Sequence, residues 1–91
     1  MKISKQKRDK IIEQILAYLY SISPKSDFTS HIAREIARDE EFVKSLLDEM
    51  KSKKLINEIK KNPEGIDYFK RSRWKLSDAV YEVYKNKQNI L

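Results

Sequence analysis

Arg71, Arg73 and Lys75 occupy every second position in the C-terminal third of the chain, with Lys70 beside them and Lys60 and Lys61 shortly before. Alternate residues of an extended strand project from one face, so the three cations would form a row. Between positions 60 and 75, six cations face only Glu64 and Asp67, a net charge of +4. A second basic cluster, Lys2, Lys5, Lys7, Arg8 and Lys10 against Asp9 alone, also nets +4. The chemistry open to such groups is electrostatic. They displace counterions from a polyanion, with an affinity that falls as salt rises. A plainer use of the same residues is to blunt an exposed strand edge against aggregation.

Little else in the chain could do chemistry. There is no cysteine, which excludes disulfides, thiolate nucleophiles and the common zinc sites. His31 is the single histidine and reads as a surface residue at a helix start. Gly65 is the single glycine, so no glycine loop can cradle a phosphate. These residues read as a protein that is not an enzyme, with no cofactor and no metal site. Tyr68, Phe69 and Trp74 could stack on bases, but aromatic residues of a small hairpin more often pack in a core. Phe69 stands apart because alternation puts it with the arginines.

The 91 residues suit one modest domain, and 20 Lys+Arg against 14 Asp+Glu give a formal charge of +6. A surplus of that size favours polyanionic partners. No run approaches the roughly 20 apolar residues of a membrane span. The apolar stretch after the basic N-terminus is broken by Glu13 and Gln14 and has no small-residue cleavage site, so a cytoplasmic location is expected.

Periodicity sets out the elements that would position these groups. Residues 1–9 form a basic arm or a helix start. Ile12, Ile15, Leu16, Leu19 and Ile22 recur at three- and four-residue steps, predicting a helix over 10–22 that ends before Ser23-Pro24. Thr29 is the expected N-cap of a second helix reaching 37, lined by Ile32, Ala33 and Ile36. A third helix over 40–53 carries a stripe of Val43, Leu46, Leu47 and Met50, with Asp39, Glu40 and Glu41 at the positive end of its dipole. Residues 55–59 then read as a strand and 66–76 as a longer one. Asn62-Pro63-Glu64-Gly65 supplies the turn, a type I turn with glycine where positive φ is wanted. In the second strand Ile66, Tyr68, Trp74 and Leu76 share one face, and Phe69, Arg71, Arg73 and Lys75 the other. Ser77-Asp78 opens a last helix over 78–88. Tyr18, Tyr20, Tyr81 and Tyr84 read as packing residues, with a dimer surface as the alternative for those on the terminal helices.

In that order and spacing, residues 32–56 (IAREIARDEEFVKSLLDEMKSKKLI) resemble the helix-turn-helix of winged-helix transcriptional regulators of the MarR, PadR and ArsR kind. Trp74-Lys75-Leu76-Ser77-Asp78 resembles the segment that closes the wing of those proteins and starts the next helix. The resemblance covers residues 10–85. It implies a mainly α fold with a small β-hairpin: a three-helix core, a two-stranded wing over 55–76 and a C-terminal helix, all in a single domain spanning 1–91. It implies a transcriptional regulator that binds double-stranded DNA as a homodimer, with two recognition helices about 34 Å apart.

Carried over by position, the groove-facing residues of the third helix are Glu40, Glu41, Lys44, Ser45, Asp48 and Lys51. Lys60, Lys61, Lys70, Arg71, Arg73 and Lys75 lie on the wing, and Lys5, Lys7 and Arg8 on the arm. Two positions depart from the pattern: Lys54 stands where glycine is usual, and Asp39, Glu40 and Glu41 crowd the end of the helix that should meet DNA. Carboxylates there repel phosphates unless one accepts from a cytosine amino group. Residues 38–54 carry no net charge, with five cations against five carboxylates, so the surplus lies in the hairpin and the N-terminal segment. The wing and arm are therefore expected to supply most backbone affinity. Two alternatives remain: a winged helix used as a protein-interaction module, suited to the acidic start of the third helix, and a winged helix that binds RNA.

Overall fold

A computed structural model describes residues 4–60 and 72–90. In chain order the elements are α1 (Lys5–Ile22), β1 (Asp27–Phe28), α2 (Thr29–Glu35), α3 (Glu40–Ser52), β2 (Ile56–Ile59), β3 (Arg73–Leu76) and α4 (Asp78–Ile90). The architecture is mostly helical, with a three-stranded antiparallel sheet in the order β1-β3-β2. This is the winged helix-turn-helix class expected from the sequence.

Helix α1 starts earlier than its apolar repeat suggests. The Ser4 hydroxyl accepts from the Lys7 amide at 3.3 Å and caps the first turn. Lys5, Lys7, Arg8 and Lys10 are therefore helical, and of the two readings of the basic N-terminal segment the helix start holds from Lys5 onward. The fully buried line is Ile11, Ile15 and Leu19, one residue every four; Ile12, Leu16 and Ile22 flank it half-buried. Ile11 was absent from the expected stripe because the charged run before it masks the first beat.

At the second helix the expected cap is corrected. Phe28 occupies the N-cap position and makes no side-chain cap bond. Thr29 is already helical, and its hydroxyl instead accepts from the indole Nε1 of Trp74 at 2.9 Å. Asp27 and Phe28 form a short strand that the sequence reading missed, pairing with Trp74 and Arg73 of β3. Two residues are too few to show a period.

Helix α3 follows the expected pattern. The Asp39 carboxylate accepts from the Phe42 amide at 3.0 Å, and Val43, Leu46, Leu47 and Met50 are buried. Strands β2 and β3 pair Ile56 with Leu76, Asn57 with Lys75, Glu58 with Trp74 and Ile59 with Arg73. Trp74 and Leu76 are buried while Arg73 and Lys75 are not, as alternation requires. The turn at 62–65, residues 66–70 of the longer strand and the cations Lys61, Lys70 and Arg71 lie outside the described residues.

One cluster unites Ile11, Ile15, Leu19, Ile32, Ala33, Val43, Leu46, Leu47, Met50, Ile56, Trp74 and Leu76. Helix α4 lies against its edge through tyrosines: the Tyr20 ring is 5.6 Å from Tyr81 and 5.4 Å from Tyr84. The packing reading of these three residues therefore stands. Tyr18 instead donates from its hydroxyl to Asp27.

Both helices of the helix-turn-helix end in the same way, without glycine. After α2, the Arg38 amide bonds to Ala33 and the Ala37 amide to Arg34; after α3, Leu55 bonds to Met50 and Lys54 to Lys51. These are paired reverse bonds of the Schellman type, which require a left-handed residue just past the cap. Ala37 adopts φ 56° and Lys54 φ 63° to supply it. A side chain carrying Cβ is disfavoured there by about 1 kcal/mol relative to glycine. Lys54 is exposed and loses no packing on substitution. Lys54→Gly is therefore expected to raise stability by about 0.5–1 kcal/mol in urea unfolding; a loss of stability would contradict the cap geometry.

Candidate nucleic-acid interface

Helix α3 buries one stripe and presents the other. Glu40, Glu41, Ser45, Asp48 and Lys51 are exposed, while Lys44 is half-buried. The Lys44 ammonium lies 2.7 Å from Asp48 and 5.3 Å from the centre of the Trp74 ring. Its charge is thus shared between a carboxylate one turn on and an aromatic face. Ser45 donates back to the Phe42 carbonyl at 2.6 Å. An open cleft of about 610 Å³ runs beside the start of this helix, lined by Phe28, Thr29, Ser30, Glu40, Glu41, Lys44 and Ser72.

The stem of the hairpin is tied to the far end of the same helix. Glu58 pairs with Trp74 in register and so faces the helices rather than solvent. Its side chain is only 8% exposed, with Lys51 at 2.7 Å and Lys60 at 3.9 Å. The Ser72 hydroxyl donates to the second carboxylate oxygen. Burial alone would raise the Glu58 carboxyl, but the hydrogen bonds from Lys51 and Ser72 and the charges of Lys51 and Lys60 outweigh it and hold it below the usual value. The same bond raises the Lys51 ammonium above its ordinary range.

The remaining expected cations are dispersed. On β3, the Arg73 guanidinium lies 4.5 Å from the centre of the Phe28 ring and its Nε is shielded from solvent, so this residue packs against β1 as well as lying on the wing. Lys75 is half-exposed on the same strand face. Arg8 contacts Glu49 of α3 at 2.9 Å, and Lys53 approaches the same carboxylate at 3.9 Å. Lys5 and Lys7 are exposed on the first turn of α1. The structure therefore brings Lys44, Asp48 and Ser45 together on α3 and joins Lys51 to Lys60 through Glu58. It places Arg8 against α3 and not on a separate arm.

Sequence reasoning missed Asp27 as well as Glu58. The Asp27 carboxylate receives the Tyr18 hydroxyl, the Phe28 amide at 2.8 Å and a ring contact with His31 Nδ1 at 2.9 Å. It thereby joins α1, β1 and α2 at the point where the helix-turn-helix begins. Burial would raise Asp27, yet these donors and the His31 charge hold it below 3.8. Tyr18 is pushed up to about 12 by burial and by the Asp27 carboxylate. His31 is exposed, as expected. Among the described residues no group of three or more acidic or histidine side chains is placed to hold a metal ion, and no helix is long and apolar enough to cross a membrane.

Solved structures of winged-helix transcription regulators are similar to this arrangement across nearly the whole chain. MepR of Staphylococcus aureus, a transcription regulator of the multidrug efflux pump MepA, is 25% identical with a TM-score of 0.64, over 94% of this chain and 66% of that one. A complex of MepR with DNA gives 24% identity and a TM-score of 0.67, over 94% and 73%. The zinc-responsive MarR family member ZitR of Lactococcus lactis is 16% identical with a TM-score of 0.57, over 98% and 54%. The chain thus spans between about half and three-quarters of the length of these proteins. No family model and no curated protein matches the sequence.

The Asp27 node carries a pH signature. A carboxyl held below its ordinary 3.8 in the folded state adds stability above that value and loses it as pH falls through the lower folded value. Asp27→Asn should cost about 1–2 kcal/mol at neutral pH. The difference from the parent should shrink on acidification below 3.8. Thermal melts across that range check it; a difference independent of pH would exclude the charged network.

Proposed function

We propose that this chain binds double-stranded DNA as a transcription regulator, with α3 entering the major groove and the hairpin cations on phosphates or in an adjacent groove. The observation that carries the reading is the exposed face of α3 (Glu41, Ser45, Asp48, Lys51), joined at its last turn to Lys60 of the stem through Glu58, on a fold shared with a protein crystallised on DNA. Because Lys44, Lys51, Lys60 and Arg8 each pair with a carboxylate of their own molecule and are partly neutralised, backbone affinity falls chiefly to Lys5, Lys7, Lys75 and the hairpin cations Lys61, Lys70 and Arg71, with Arg73 contributing from its packed position. A homodimer would set two such surfaces one helical turn of DNA apart.

One observation favours a second reading. Glu40 and Glu41 are exposed beside the 610 Å³ cleft, a surface that suits a basic segment of a protein partner.

Fluorescence anisotropy with a random-sequence duplex separates the two. DNA binding predicts an affinity that falls at least about a hundredfold between roughly 50 and 200 mM salt. Lys75→Ala should weaken all sequences alike and make the logarithmic salt slope shallower by about 0.9, whereas Ser45→Ala should alter sequence preference instead. No binding to any duplex at low salt would remove the reading.

A further inference from the structure

The inner face of the β2–β3 stem changes character over three rungs. Nearest the helices, Ile56 and Leu76 face each other, both buried. At the next described inward rung stand Trp74, fully buried, and Glu58. Just beyond the strand ends come Ser72 and Lys60, whose side chains both reach the Glu58 carboxylate. Among the described residues, Glu58 and Trp74 thus form the last inward rung of the stem that carries a buried apolar side chain. At that rung the apolar packing of Trp74 is joined by a polar contact through Glu58.

That contact converges from three elements. Lys51 reaches down from the last turn of α3, Ser72 donates from the start of the β3 side, and Lys60 approaches from the end of β2. A carboxylate 8% exposed that accepts a lysine at 2.7 Å is poorly screened by solvent, unlike an exposed surface pair. Lys51 and Lys60 are themselves 48% and 69% exposed, so each can still turn a proton toward a phosphate while bound to Glu58.

We infer that Glu58 is a positioning residue that fixes the hairpin relative to α3, so that both elements meet one duplex in register. The inference rests on the DNA-binding reading and names a residue that does not itself touch DNA. An opposite role is conceivable for the same geometry: a carboxylate holding two lysines could act as a resident rival to phosphate. The two roles differ in sign. If Glu58 positions, removing its charge lets the stem swing and loses wing contacts. If it competes, removing its charge releases two cations to the duplex.

Glu58→Gln keeps the shape and removes the charge. Circular dichroism confirms folding, and duplex affinity is read by anisotropy as a function of salt at a temperature well below the melt. Positioning predicts an affinity lower on the order of tenfold. It also predicts a logarithmic salt slope shallower by about 1, the mark of a lost phosphate contact. Lys51→Met should give a similar loss, and the double variant should be little worse than either single one, because both remove the same tie. Amide hydrogen exchange of the free protein should speed up at residues 72–75 and stay unchanged within α3. A merely stabilising role would lower the melting temperature and leave affinity and slope intact, overturning the inference. Tighter binding with a steeper slope would overturn it in favour of competition, and additive losses would make Lys51 an independent contact. Failure of the parent protein to bind any duplex would instead remove the DNA-binding reading itself, a result distinct from these.

Discussion

The indole of Trp74 is the contact on which the rest of this structure depends. It lies on the central strand of the sheet, fully buried, opposite Glu58 on one side and Asp27 on the other. Its N–H must be satisfied away from water, and Thr29 at the first turn of α2 does so at 2.9 Å. Its face receives Lys44 of α3. One side chain therefore touches both helices of the helix-turn-helix, on a residue whose backbone pairs with both neighbouring strands. Strand β3 cannot slide past α2 without breaking the indole hydrogen bond or exposing the ring.

That constraint explains why so many charges on this small molecule are paired internally. Strand β2 brings the stem close to α3, and the first turns of α1 bring Arg8 to the C-terminal half of the same helix. Cations and carboxylates on these elements are then within reach of one another: Lys51 with Glu58, and Arg8 and Lys53 with Glu49. Exposed pairs of this kind contribute little to stability. Glu58 differs because its side chain is largely shielded and accepts several donors at once, so removing its partners would leave a charge in a poorly solvated place. The net charge of +6 consequently overstates what α3 offers a polyanion and understates the bias toward the hairpin.

Much of this was legible in the sequence. The stripe Val43, Leu46, Leu47, Met50 announced α3, and the alternation of Arg73, Trp74, Lys75 and Leu76 gave the correct inner and outer faces of β3. Local periodicity suffices where an element is long enough to repeat. It failed at β1, whose two residues exist only because Trp74 and Arg73 lie opposite, and at Thr29, whose hydroxyl is claimed by a residue 45 positions away. Glycine-free helix ends at Ala37 and Lys54 also gave no local signal, because the left-handed turn there is imposed by the reverse bonds and the packing of the next element. For the interface, composition located the cations but not their partners. Glu58 carried a usable sign: a lone carboxylate two residues from Ile56 must share its inward face.

The acidic start of α3 has a reason within the fold. The first amides of any α-helix have no acceptor within the helix and need one from its cap. Asp39 supplies an acceptor to the Phe42 amide, and Glu40 and Glu41 complement the positive end of the dipole. Such charges contribute about 0.3–1 kcal/mol each when exposed. Against phosphate they are unfavourable, and a helix held only by its own packing could avoid them. In this chain the two preceding residues, Ala37 in a left-handed conformation and the exposed Arg38, leave the start of α3 to its own caps. The carboxylates therefore mark how the turn is closed, and on the proposed reading attraction to a polyanion would fall to cations outside this helix start.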